Sequence, residues 1–175
     1  THNVEYCYTV EAVYDEGTSS ATNEACASAS PVPDAADLSV GDGYASVGST
    51  GSLEISLDNE DSVAGFQFIV SFSPEIGSII DLVTTDRTTG FNLSTANGIV
   101  IGFSLTGDLI APGTGPIVIL EVEGSDAGSA QVCLNDVILS DPSGNAMLTE
   151  TSCGSFVVSD GPVYGCTDDG ACNYD

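Results

Sequence analysis

An all-β, jelly-roll β-sandwich is the fold class that this sequence predicts, and three observations predict it. Apolar residues recur at alternate positions in many segments, which puts each set on one face of a strand. Gly, Ser, Thr, Val and Ala are abundant and Trp is absent, a balance suited to strands joined by many turns. Between residues 36 and 158 the alternation yields about eight or nine strands, a number typical of a jelly roll.

At the start, Val4, Tyr6, Tyr8, Val10, Ala12 and Tyr14 alternate with polar residues or Cys7. The turn Asp15-Glu16-Gly17-Thr18 leads into a second arm, Ser19 to Ala27. Cys7 lies near the middle of one arm and Cys26 near the end of the other, so a Cys7–Cys26 disulfide can staple the hairpin. The run YCYTVEAVYDEGTSSATNEACA resembles the last two strands of a fibronectin type III domain. A lone hairpin is marginal in water. Two readings stay open for residues 1–28: a fragment, or a half-domain completed by another molecule. Residues 29–36, with two prolines, read as a linker.

The stretch Ser52 to Phe72 organises the remainder. Leu53, Ile55 and Leu57 alternate on a first arm; Phe66, Phe68, Val70 and Phe72 alternate on a second. The acidic turn Asp58-Asn59-Glu60-Asp61-Ser62 lies between them, so the stretch reads as hairpin-like, with a second sheet needed to cover both arms. Before it, Ala36 to Val40 is a strand, and Gly41-Asp42-Gly43 and Val47 to Gly51 are turns. After it, Ile76 to Thr85 reads as a strand or a short helical turn. Asn97-Gly98 is a hairpin signal. It precedes Ile99 to Leu105, with Ile99, Ile101, Phe103 and Leu105 on one side. Ile117 to Val122 is continuously apolar and reads as central. In Ser129 to Leu139 the phase slips at Asn135-Asp136, which predicts a bulge. Asp141 to Asn145 is a turn. Ala146 to Val158 closes the sandwich and brings Cys153 within reach of Cys133 across neighbouring strands.

One Arg and no Lys stand against 26 Asp plus Glu, a formal charge of −25. Such a surface repels nucleic acid and anionic membranes, and no apolar run is long enough for membrane insertion. It attracts hard cations, calcium above all. Two oxygen-rich stretches are candidate calcium sites: Asp168, Asp169, Asn173 and Asp175 near the end, and the turn Asp58, Asn59, Glu60 and Asp61. Asp136 and Asp141 carry further carboxylates. A solvated acidic surface with no specific ion is the competing reading. Six cysteines fall in three close pairs, Cys7–Cys26, Cys133–Cys153 and Cys166–Cys172. With no C-x-x-C and no His beside any pair, disulfides in an oxidising compartment outweigh zinc. The setting expected is secreted, cell-surface or extracellular, and the chain reads as a mature or excised piece.

Residues 37–158 resemble a cohesin domain. The resemblance is carried by Leu53-Glu54-Ile55-Ser56-Leu57, by Val63-Ala64-Gly65-Phe66-Gln67-Phe68, by Ile101-Gly102-Phe103-Ser104-Leu105, and by Val137 to Ala146. It implies a nine-stranded jelly roll and a dockerin-like partner. Residues 159–175, GPVYGCTDDGACNYD after a break, resemble the opening of a short acidic, Cys-rich repeat of large marine bacterial surface proteins.

No nucleophile elbow, phosphate loop or zincin motif occurs, and His2 reads as a bystander. Catalytic residues are therefore not expected. Arg87 reads as a loop residue paired with Asp86. Asn92 heads the sequon Asn92-Leu93-Ser94. The leading expectation is a structural or adhesive segment, stabilised by calcium and disulfides, whose copies join head to tail through the hairpin. The rivals are a module binding a dockerin-like protein or a polysaccharide, and an accessory segment of a large secreted hydrolase.

Overall fold

The computed structural model describes residues 5–28 and 35–161. They belong to two compact units, divided between Asp34 and Ala35.

The first unit is a hairpin of four short strands, β1 (Glu5–Tyr8), β2 (Val13–Tyr14), β3 (Gly17–Thr18) and β4 (Ala25–Ser28). Cys7 lies directly opposite Cys26 and the two form a disulfide. The long arms expected from the alternation are broken in the middle. There the hydroxyls of Ser19 and Thr22 accept from the amides of Ala12 and Val10, replacing part of the backbone ladder. Tyr8, Val10, Val13 and Tyr14 are exposed.

The second unit is a two-sheet sandwich. Its strands are β5 (Ala36–Val40), β6 (Gly43–Ser46), β7 (Thr50–Asn59), β8 (Gly65–Ser73), β9 (Gly77–Thr84), β10 (Asn92–Ala96), β11 (Ile99–Phe103), β12 (Gly113–Gly124), β13 (Gly128–Ser140), β14 (Thr149–Ser152) and β15 (Gly154–Ser159). One sheet has six strands in the order β10-β11-β8-β13-β15-β6, the other five in the order β14-β5-β7-β12-β9. Eleven strands appear, where eight or nine were expected. The closing segment is divided between the sheets as β14 and β15, and β6 is a separate edge strand.

The stretch 52–72 is not a hairpin. β7 lies in the five-stranded sheet, between β5 and β12, and β8 lies in the six-stranded sheet, between β11 and β13. Both arms are apolar on one face, and each needs a cover. They gain it by facing one another across the core, which buries Leu53, Ile55 and Leu57 from one side and Phe66, Phe68 and Val70 from the other. Edge-to-edge pairing would have left both apolar faces on the same side of one sheet.

Several turns form where their residues predict. Asn97 and Gly98 hold φ of 52° and 78°, the left-handed pair that a two-residue hairpin requires. The bulge expected at Asn135-Asp136 is present as a register shift between Asn135 and Ile138, with Asp136 at φ 48°. Asp141 caps its own turn, its Oδ1 accepting from the amides of Ser143 and Asn145 at 2.8 Å each. Residues 76–85 resolve into strand β9, followed by a one-turn 3₁₀ helix over Asp86–Thr88 capped by Thr85.

Candidate functional site: an apolar strip on the outer sheet face

The side of β11 that carries Ile99, Ile101 and Phe103 faces outward. Val100 and Gly102 are the inward residues of that strand, and Val100 is fully buried. Gly102 is glycine for a packing reason: a methyl group there would overlap the ring of Phe66. Phe66 in turn stacks on Phe68 and Phe91, with ring centroids 5.7 and 6.2 Å away. The aromatic core thus fixes the phase of β11 and turns its larger apolar residues outward.

Strand register assembles them into a patch. Ile99 is opposite Ile69 of β8, which is opposite Asn135 of β13. Ile101 is opposite Gln67, which is opposite Ile138. The bulge in β13 lies between these two rows. Ile101 is 36% exposed, Phe103 41% and Ile138 52%. Leu105, just beyond β11, is 79% exposed at the start of a tied loop. In that loop Ser104 Oγ accepts from the amides of Thr106 and Asp108 and donates to the Asp108 carboxylate, which the Thr106 hydroxyl also reaches. These bonds hold the Asp108 carboxyl below the usual aspartate range, Thr106 contributing most and Ser104 next.

One margin of the patch is covalently braced. Cys133, on the outward side of β13 opposite Ser71, is bonded to Cys153, which stands where the chain passes from β14 into β15. Asn135 Nδ2 donates to Ser71 Oγ at 2.9 Å alongside.

In the acidic turn Asn59 is held by protein partners, while the turn's carboxylates face solvent. Asn59 is 4% exposed. Its Oδ1 accepts from Arg87 Nη2 at 2.6 Å, and its Nδ2 donates to the Asp61 carbonyl at 2.7 Å and to the Ala111 carbonyl at 3.3 Å. Asp58, Glu60 and Asp61 are exposed. Among the described residues the only three ligating side chains of Cys, His, Asp or Glu that converge are Cys7, Glu24 and Cys26, two of which are in a disulfide. Asp168, Asp169, Asn173, Asp175, the Cys166–Cys172 pair and His2 lie outside the described residues.

Arg87 does not pair with Asp86 as expected. Its guanidinium donates to the carbonyls of Leu57 (2.6 Å), Gly115 (3.1 Å) and Ala111 (2.8 Å) as well as to Asn59. Partial burial lowers its pKa, and the charge of Asp58 opposes that shift. An open groove of about 640 Å³ at the end of β8 is lined by residues including Ile69, Phe72, Glu75, Ile79 and Asn97.

No family model and no curated protein matches this chain. The fold does have solved counterparts. A non-cellulosomal cohesin from the archaeon Archaeoglobus fulgidus superposes with a TM-score of 0.60 at 19% identity, covering 73% of this chain and 93% of that one. A structure of the OlpC type I cohesin–dockerin complex from Clostridium thermocellum gives 0.60 at 12% identity, covering 75% and 99%. The solution structure of CaCohA2 from Clostridium acetobutylicum gives 0.59 at 18%, covering 73% and 92%. The sandwich therefore has the cohesin fold.

Proposed function

We propose that the sandwich is a non-catalytic, protein-docking module of a secreted, modular cell-surface or extracellular protein. The observation that carries this reading is the apolar strip on the outer face of the six-stranded sheet. Phe103, Ile101 and Ile138 are large and exposed on rigid strands; Phe103 and Ile101 share the outward side of β11, and register sets Ile138 in the row of Ile101 with Gln67 between them. Clustered exposed apolar residues on a rigid surface favour a protein partner. A dockerin-type module is the partner class suggested by the likeness to cohesins, since the OlpC structure is a complex of that kind. The two disulfides support an oxidising, extracellular setting. Binding of dockerin modules to the immobilised chain tests the reading. Binding that Ile101→Ser and Phe103→Ser abolish supports it, and binding indifferent to both substitutions refutes it.

The surface charge favours a second element, calcium dependence. With −25 charges to screen, calcium would both stabilise the chain and permit head-to-tail contacts through the exposed hairpin. The terminal carboxylates Asp168, Asp169 and Asp175, with Asn173, remain the proposed ligands, with Asp58 and Asp61 a second set. Light scattering in calcium and then in chelator tests this: assemblies that disperse on chelation support it, and particle mass unchanged by chelator removes it. Polysaccharide binding has less in its favour, because Phe103 is the one aromatic residue in the strip.

A further inference from the structure

The hairpin of residues 5–28 is held together by little besides its disulfide. Of residues 7–26 none is buried, and all but Ser19 are exposed. The ladder is thin: β1 and β4 pair over four residues, β2 and β3 over two. Between those pairs the amides of Val10 and Ala12 donate to side-chain hydroxyls. Residues 5–28 hold five carboxylates and no Lys, Arg or His, so their charge adds only repulsion. A lone two-stranded hairpin is marginal in water. The Cys7–Cys26 bridge, closing the chain across 19 positions, restricts the unfolded hairpin and so favours the folded one. The bridge in the sandwich stands in a different setting. Cys133 lies between buried Val132 and Leu134, on a strand paired with β8 on one side and β15 on the other. Cys153 directly precedes β15. The folded sandwich keeps these two sulfurs near one another even with their bond open, and thiols held at high effective concentration re-form their disulfide. Freed Cys7 and Cys26 have no such frame.

We infer that Cys7–Cys26 is a thiol-operated switch: its reduction unfolds the hairpin and leaves the sandwich folded, and Glu24 guards the bond. The reductant is a small-molecule or protein thiol. Its thiolate attacks one sulfur of the bridge, the S–S bond breaks, and a mixed disulfide forms. A second reductant thiolate then displaces the protein sulfur. Two reductant thiols become a disulfide, and two electrons and two protons pass to Cys7 and Cys26, which become thiols. A Glu24 carboxylate oxygen and both sulfurs lie within 4.8 Å of one another. The carboxylate charge repels the arriving thiolate and disfavours the departing one, which slows the exchange. Tyr8, Val10, Val13 and Tyr14 are exposed on the folded hairpin. One consequence rests on the head-to-tail reading above: opening the bridge removes the surface through which copies join.

Graded dithiothreitol on the intact chain, followed by alkylation, peptide mapping of these four cysteines and backbone NMR shifts, tests the inference. Cys7 and Cys26 are expected to be alkylated at reductant concentrations that leave Cys133 and Cys153 bonded. Shifts should move to unfolded values over residues 5–28, stay in place over 35–161, and return on oxidation. Cys7→Ser/Cys26→Ser should give the same shifts with no reductant, and Glu24→Gln should speed the opening a few-fold. A hairpin that stays folded in the double variant, or opening of Cys133–Cys153 before Cys7–Cys26, would overturn the switch. An unchanged rate in Glu24→Gln would overturn the guard. Particle mass in calcium should fall on reduction; a hairpin that unfolds while assemblies persist would sustain the switch and refute the head-to-tail reading instead.

Discussion

Arg87 Nη2 donates to Oδ1 of Asn59 at 2.6 Å, and this contact ties the 3₁₀ turn after β9 to the end of β7. Asn59 is buried and passes the connection on to Asp61 and Ala111 through its amide nitrogen. In a chain with no lysine, the one arginine gives its hydrogen bonds, among the described residues, to backbone carbonyls and the Asn59 amide oxygen. It donates to carbonyls of three segments, that of Ala111 shared with Asn59 Nδ2. Arg87→Ala is expected to cost about 2–3 kcal/mol, the scale of losing charge-assisted bonds and leaving their acceptors unpaired. Arg87→Lys should recover less than half of that, because an ammonium cannot span the same fork. Urea unfolding of the two variants checks both statements.

Carboxylates on the five-stranded sheet should behave in the opposite way. Glu150 of β14 is in register with Asp37 of β5, and Asp37 is in register with Asp58 of β7. Like charges directly across strands destabilise a sheet. Asp37→Asn should therefore stabilise the sandwich by about 0.2–1 kcal/mol. The gain should shrink as salt screens the exposed row, and denaturation at two ionic strengths would show it.

The Ser104–Asp108 loop gives the pH dependence. Asp108 titrates below the usual aspartate range because hydroxyls of Thr106 and Ser104 bond its charged form. A carboxyl depressed in the folded state adds stability above its unfolded pKa, and that stability is lost as pH falls through the folded value. The loop should thus stay tied throughout the neutral range. It should loosen only below the ordinary aspartate pKa of about 3.9. NMR titration of the Asp108 carboxyl should give a midpoint below that figure, and Thr106→Ala should raise it.

Most of the architecture was legible in the sequence because a strand with one buried face must alternate. β7, β8 and β13 could be placed from that rule, and so could the bulge at Asn135-Asp136, where the rule breaks. Partner choice was not legible. The two arms of 52–72 have the pattern of a hairpin, and only the competition among all strands for cover assigns them to opposite sheets. The site was hidden by the same rule. Ile99, Ile101 and Phe103 alternate as a core face would, while Gly102, the clue to the true inward face, signals only by lacking a side chain. The Arg87 clamp had no local signal, since its acceptors come from residues 57, 59, 111 and 115.

The outer face of the six-stranded sheet is the centre of the functional account, and backbone chemical-shift mapping during titration with a bound dockerin-type module tests it most directly. The account predicts shifts concentrated on β8, β11 and β13, strongest around Ile101, Phe103 and Ile138 and fading beyond Cys133. Shifts concentrated on β7, β12 and β9 of the opposite sheet, or on the hairpin of residues 5–28, would contradict it.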